Sequence, residues 1–150
     1  MFCDQLTDLL SALWHKEVTK SILKGENMQL SEFVVTLFTG KANQNNITVA
    51  AVMGLNALKQ GLSATILLMV EAVEFSVPDA TKGIDIGAPF KEVGGIWEQF
   101  MEMGGQVCIC DACLTHNGFT KDQIDKRYEI IGGGEVIALL SEAKGTLQIT

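Results

Sequence analysis

Basic residues are scarce in this sequence, with 11 Lys and Arg against 18 Asp and Glu and a formal net charge of -7. A surface field of that sign repels phosphate backbones and anionic headgroups, so neither nucleic acid nor a membrane surface is an expected partner. Long apolar runs are missing as well. The longest, around Ala64 to Val73, is broken by Glu71 and Glu74, well short of the roughly 20 apolar residues a spanning helix needs. The first segment lacks the basic start and uncharged apolar run of an export signal, because Asp4, Asp8, Lys16 and Glu17 interrupt it. A dispersed, even cysteine framework of the secreted kind is absent too: of 4 cysteines, three crowd together as Cys108, Cys110 and Cys113. These absences together predict a soluble, cytoplasmic protein in which clustered thiols serve metal or thiol chemistry.

What is present is a globular balance. The 150 residues are 47% hydrophobic and 19% charged, enough for one self-sufficient core. No internal repeat or low-complexity linker divides the chain. Leu6, Leu9, Leu10, Leu13, Val18 and Ile22 recur at nearly helical spacing, which predicts an amphipathic helix ending near Gly25. Its Leu6 to His15 face is available to a partner subunit.

Past Gln29 the period changes. Phe33 to Phe38 reads as a strand buried on both faces, and a polar loop from Gly40 follows, where Asn45 or Asn46 is placed to cap a helix over Ile47 to about Gln60. Gly61 stops it, and Ser63 to Val73 reads as a second strand, so the order strand, helix, strand implies a right-handed parallel crossover. Phe75 to Pro89 is an irregular stretch and a candidate lid. Val93, Ile96, Trp97, Phe100 and Met101 predict a second crossover helix ending at Gly104-Gly105. A third strand, Gln106 to Cys110, comes next. Then follow a short turn at Lys121 to Lys126, a strand at Tyr128 to Ile131, a glycine joint at Gly132 to Gly134, a helix over Glu135 to Ala143 and a closing strand at Thr146 to Ile149. The expected fold is α/β, a mostly parallel sheet of about five strands with helices on both faces.

In such a sheet, reactive groups gather outside the carboxyl ends of the strands, and Cys110 falls at one. Cys108 and Cys110 share one strand face, with Cys108 deeper and Cys110 nearer the mouth. A helix starting after Asp111 would set the Cys110 sulfur beside free backbone N–H groups, which favour a thiolate. Cys113 then stands ready to resolve a persulfide or to form a disulfide with Cys110. Cys108 reads as an inert buried thiol. Cys108, Cys110, Cys113 and His116 are zinc-binding types, but the rigid strand spacing is poor for a tetrahedral site, so no metal is expected. His116 reads as a surface residue or a helper to Cys110. The loop after Gly40 lacks a phosphate-binding pattern and Gly132-Gly133-Gly134 lacks a dinucleotide one, so no cofactor is expected. Glu71 and Glu74 read as solvated residues on opposite strand faces, and Met53, Met69, Met101 and Met103 as packing residues.

The run Val107-Cys108-Ile109-Cys110-Asp111-Ala112-Cys113-Leu114-Thr115-His116-Asn117-Gly118-Phe119, followed by Glu129-Ile130-Ile131-Gly132-Gly133, resembles the DsrE/DsrF-like family. Gly87-Ala88-Pro89-Phe90-Lys91-Glu92-Val93-Gly94 and Trp97 to Gly105 resemble the same family, and the similarity covers about residues 32 to 150. The resemblance implies a flavodoxin-like, three-layer domain over residues 31–150, with residues 1–30 as an added helical extension. It also implies a homo-oligomer (dimer, trimer or hexamer) and a cysteine after a sheet strand that accepts sulfur as a persulfide and passes it between donor and acceptor proteins. Cys110 matches that cysteine, with Gly118 eight residues on. Cys113 matches a position that is serine in some relatives and cysteine in others.

Three functions are therefore carried forward. The first is a sulfur-relay protein of the sulfurtransferase type, acting through a persulfide on Cys110. The second is a dithiol redox protein cycling Cys110 and Cys113. The third is a non-catalytic assembly or regulatory subunit, in keeping with the extra helix.

Overall fold

The computed structural model describes Leu9, residues 11–13 and residues 28–150. Its elements run β1 (Phe33–Leu37), α1 (Gln44–Lys59), β2 (Ala64–Leu68), a 3-10 segment (Val70–Ser76) and α2 (Val93–Glu102). Then come β3 (Gln106–Cys110), α3 (Asp111–His116), a 3-10 turn (Lys121–Gln123), β4 (Glu129–Ile131), α4 (Gly133–Glu142) and β5 (Gly145–Ile149). The strands form one sheet in the order β4-β3-β2-β1-β5, and every pairing is parallel.

Alternation along the strands makes two apolar faces. Val35, Leu37, Ile66, Leu68, Val107 and Ile109 point to one, where they pack with Ile47, Ala51 and Leu55 of α1 and Ile96, Trp97 and Phe100 of α2. Val34, Leu67, Cys108 and Ile131 point to the other, against Met28 and against Val136 and Leu139 of α4. A sheet covered on both sides needs apolar residues at consecutive strand positions, as Val34-Val35 and Ile66-Leu67-Leu68 supply. The three-layer α/β architecture agrees with the sequence expectation. Among the described residues no helix is long and apolar enough to cross a membrane.

Several boundaries differ from the sequence reading, each for a local reason. The first helix begins at Gln44, and its cap is Asn43, whose side chain accepts from the Asn46 N–H, so Asn45 and Asn46 lie inside the first turn rather than before it. Gly61 does follow the helix, at φ +84, a left-handed conformation that glycine adopts without steric penalty. Strand β2 ends at Leu68, five residues short of Val73, because Val70 turns to φ +53 and no strand continues through that region. Glu71 and Glu74 consequently lie on a 3-10 turn and not on opposite strand faces. The last helix starts two residues early, at Gly133, its N-cap amide at Gly132 donating to the Glu135 carboxylate at 2.7 Å. Met53 and Met103 are exposed rather than packed. The helix expected over residues 1–30, with Trp14 and His15, lies outside the described residues except for Leu9 and residues 11–13, which are helical.

A polar clamp ties α2 to the approach of β4. The buried Trp97 Nε1 donates to the Tyr128 hydroxyl at 2.8 Å. Next to it, Arg127 reaches Glu98 at 2.7 Å and Asp125 at 2.7 Å. The Arg127 guanidinium holds both carboxyls below their ordinary values. The Asp125 N–H in turn donates to the Ser76 carbonyl at 2.9 Å. The segment after β2, helix α2 and the approach to β4 are thus joined through one cluster of polar contacts.

Candidate functional site

Strand β3 ends at Cys110, and α3 begins at the next residue, so Cys110 is at once the last strand residue and the N-cap of the helix. From β3 the chain passes to the side of α1 and α2, where Leu114 of α3 is buried. From the neighbouring β4 it passes to the opposite side, where Val136 of α4 is buried. Cys110 pairs with Ile131, the last residue of β4. The two chain paths therefore diverge at Cys110, the kind of crevice in which parallel sheets place their ligands.

One helical turn on, Cys113 returns to the same place. Its thiol lies beside the Cys110 sulfur and the Val70 backbone N–H, both of which act on its ionisation. The Cys113 thiol is pushed up, first by burial and further by the contact with Cys110, while the Val70 N–H works in the other direction. Cys113 thus keeps its proton through neutral pH. All three described cysteines are free thiols. Cys108 lies two residues below on the same strand face, fully buried, and burial together with the nearby carboxylates of Glu129 and Glu135 pushes its thiol up to about 12.

Exposure separates the pair. Cys110 is 7% exposed, whereas Cys113 is half-buried and lines a cavity of about 400 Å3 together with Val70, Glu71, Ala112, His116 and Asn117. The thiol that meets this opening is Cys113, and Cys110 lies behind it. His116 is exposed at the cavity wall beside Cys113. Among the described residues no three His, Cys, Asp or Glu side chains gather as a metal-ligand set.

The sequence reading missed Val70 and Asn117. A β-branched residue at φ +53 is a genuine backbone outlier, of the kind that stores about 1–3 kcal/mol and persists only where its surroundings fix it. Here Asn117 fixes it: its Nδ2 donates to the Val70 carbonyl at 3.1 Å and to the Cys113 carbonyl at 2.8 Å. One side chain thereby holds the strained turn against the helix that carries Cys113. Nothing in the apolar residues around Val70 signals a left-handed residue.

The neighbouring loop after β1 is closed by the same 3-10 segment. Glu74 accepts from the Lys41 N–H at 2.8 Å, so the strand-end amide an anion would use is bound by the protein's own carboxylate. Gly40 makes this approach feasible: a Cβ there would collide with Glu74 Oε2 and lie 3.0 Å from the Glu71 carbonyl oxygen. Gly40→Ala is expected to destabilise the fold by about 1–3 kcal/mol through overpacking, read as a lower urea midpoint at unchanged slope.

Comparison with known proteins now bears on this geometry. The model of the DsrE/DsrF-like family matches residues 33–149. The chain belongs to the DsrE/DsrF-like family. Among solved structures, this DsrE-like chain resembles the ychN protein from E. coli, with TM-score 0.62 and 17% identity over 81% of this chain and 100% of that one. It also resembles MTH1491 from Methanobacterium thermoautotrophicum, described as a protein of unknown function, with TM-score 0.57 and 14% identity over 77% of this chain and 97% of that one. BT1422 from Bacteroides thetaiotaomicron, likewise of unknown function, gives TM-score 0.56 and 16% identity over 79% and 95%. At these identities the likeness establishes the fold. No curated protein matches the chain.

Proposed function

We propose that this DsrE-like protein is a sulfur-relay protein of the sulfurtransferase type, in which Cys110 holds a sulfane sulfur as a persulfide and surrenders it to a partner's thiol. The observation that carries the reading is the position of Cys110, closing β3 where two chain paths diverge, with a second thiol beside it. Delivery is a thiolate attack on the outer sulfur: the acceptor gains the sulfane sulfur, the bond to Cys110 breaks, and Cys110 leaves as a thiolate that regains a proton. No oxidant or reductant is consumed. Donor and acceptor proteins are the partners this chemistry requires, and a homo-oligomer in a reducing cytoplasm is its proposed setting, in keeping with the free thiols.

Intact-protein mass spectrometry after incubation with glutathione persulfide tests it. The wild-type chain should gain the mass of one sulfur atom and retain it through a wash with glutathione, whereas Cys110→Ser, left with the cavity-facing Cys113, should retain none after the wash. An adduct that persists in Cys110→Ser and disappears in Cys113→Ser would move the site.

The contact between the two thiols also favours a second reading, a Cys-x-x-Cys couple cycling between dithiol and disulfide. Counting free thiols after mild oxidation separates the two. A Cys110–Cys113 disulfide that forms and reduces reversibly supports the redox couple, and two thiols that stay unpaired dismiss it.

A further inference from the structure

Within the sulfur-relay reading, on which this inference rests, the route by which sulfur reaches Cys110 is open. Cys110 is 7% exposed and takes no part in the wall of the cavity formed by Val70, Glu71, Ala112, Cys113, His116 and Asn117. Cys113 is the thiol in that wall, and it touches Cys110. A persulfide approaching from solvent therefore meets Cys113 before Cys110.

We propose that Cys113 is the entry cysteine: it takes the sulfane sulfur from the incoming persulfide in this cavity and hands it inward to Cys110, which stores it. Both steps balance without redox change. In the first, the Cys113 sulfur attacks the outer sulfur of R–S–SH; a Cys113 S–S bond forms, the donor S–S bond breaks, and the Cys113 proton passes to the leaving R–S group, giving R–SH. In the second, the Cys110 sulfur attacks the outer sulfur on Cys113; the new bond forms at Cys110, the old one breaks, and the Cys110 proton passes to Cys113, restoring its thiol.

Burial and the contact with Cys110 raise the Cys113 thiol, and the Val70 N–H works against them. When this sulfur carries negative charge, as nucleophile or as leaving group, that N–H is the group that favours it, a donor fixed in place by Asn117 rather than recruited during the reaction. The cavity, about 400 Å3 and walled by Val70 and Ala112 with one carboxylate at Glu71, admits a thiol-bearing arm and opposes a strongly anionic one. The class of donor is a persulfide on a small or flexible carrier.

The test is the rate at which Cys110 acquires sulfur from glutathione persulfide, followed by rapid alkylation and peptide mapping in the wild-type, Cys113→Ser and Cys113→Ala chains. In the wild type, sulfur should appear on the Cys113 peptide before the Cys110 peptide. Initial loading of Cys110 should fall about tenfold in both variants, because direct access is poor. The alanine variant is the decisive one: it widens the opening, so if Cys113 were only a shield, loading of Cys110 would be unchanged or faster, and that result overturns the inference. Loading of Cys110 at the wild-type rate in Cys113→Ser overturns it as well while leaving the relay intact. Failure of the wild-type chain to take up sulfur at all overturns the relay itself, and the inference with it. Circular dichroism and urea midpoints matching wild type establish that both variants are folded.

Discussion

Trp97→Ala is expected to destabilise the protein by about 3–5 kcal/mol, the range for removing a large aromatic side chain from a packed core. Trp97 is 1% exposed and stacks at a tilt on Phe100, with ring centroids 6.5 Å apart. Its indole N–H is also the partner of the buried Tyr128 hydroxyl. The substitution therefore opens a cavity and leaves that hydroxyl without a donor, two penalties that separate experimentally. Trp97→Phe keeps most of the ring volume and forfeits mainly the hydrogen bond, so a smaller loss of about 1–3 kcal/mol is expected from it. Since a domain's whole stability is about 5–15 kcal/mol, the alanine variant should melt roughly 10 °C or more below wild type. Calorimetry of the two variants gives the comparison, and an alanine variant within 1 °C or so of wild type would contradict the packing described here. The loss should extend beyond α2, because the approach to β4 and the segment after β2 are tied together through Asp125 and Ser76.

The same residues show how much of the molecule can be read from its letters. Strand β3 matches its expected span from Gln106 to Cys110, since Gly104-Gly105 opens it and the Cys110-Asp111 step closes it. The start of α2 at Val93 was equally legible from the 3.6-residue spacing of Val93, Ile96, Trp97 and Phe100. The end of β2 was not. Val70 follows the apolar run of β2 without any turn residue, and a β-branched residue is the last type expected at φ +53, so tertiary contacts with Asn117 decide what local propensity could not. That one turn also hid the layout of the site. The proximity of Cys110 and Cys113 follows from their spacing across a strand-to-helix junction. Which of them faces the cavity depends on Val70 and Glu71, some forty residues away in sequence. Periodicity carries no information about such a pairing.

Peptide-mapped labelling with iodoacetamide across pH should resolve the described thiols into distinct classes. Cys108 should be nearly inert below pH 9. Its thiol is held to about 12 instead of the ordinary 9.0, so its thiolate population is about a thousandfold below that of a free cysteine, before its complete burial slows the reagent further. Cys113 is also raised above 9.0, so its labelling should still be climbing where a free thiol has levelled off. The groups facing it are Cys110 along with Glu71 and His116 of the cavity wall. Asn117→Ala, which releases the Val70 carbonyl, should move the Cys113 midpoint further up, because the Val70 N–H is the group that lowers it. Stability shares the Cys108 signature with a definite sign. The folded chain keeps that proton until about 12 and the unfolded chain releases it near 9.0. Unfolding is therefore favoured progressively as pH rises between those values, and this group has no effect below them. Labelling of Cys108 in the native chain at the rate seen in denaturant would mean that the sheet interior is open to solvent. The proposed confinement of thiol chemistry to Cys110 and Cys113 would then lose its physical basis, because burial is the first cause that keeps the Cys108 thiol protonated.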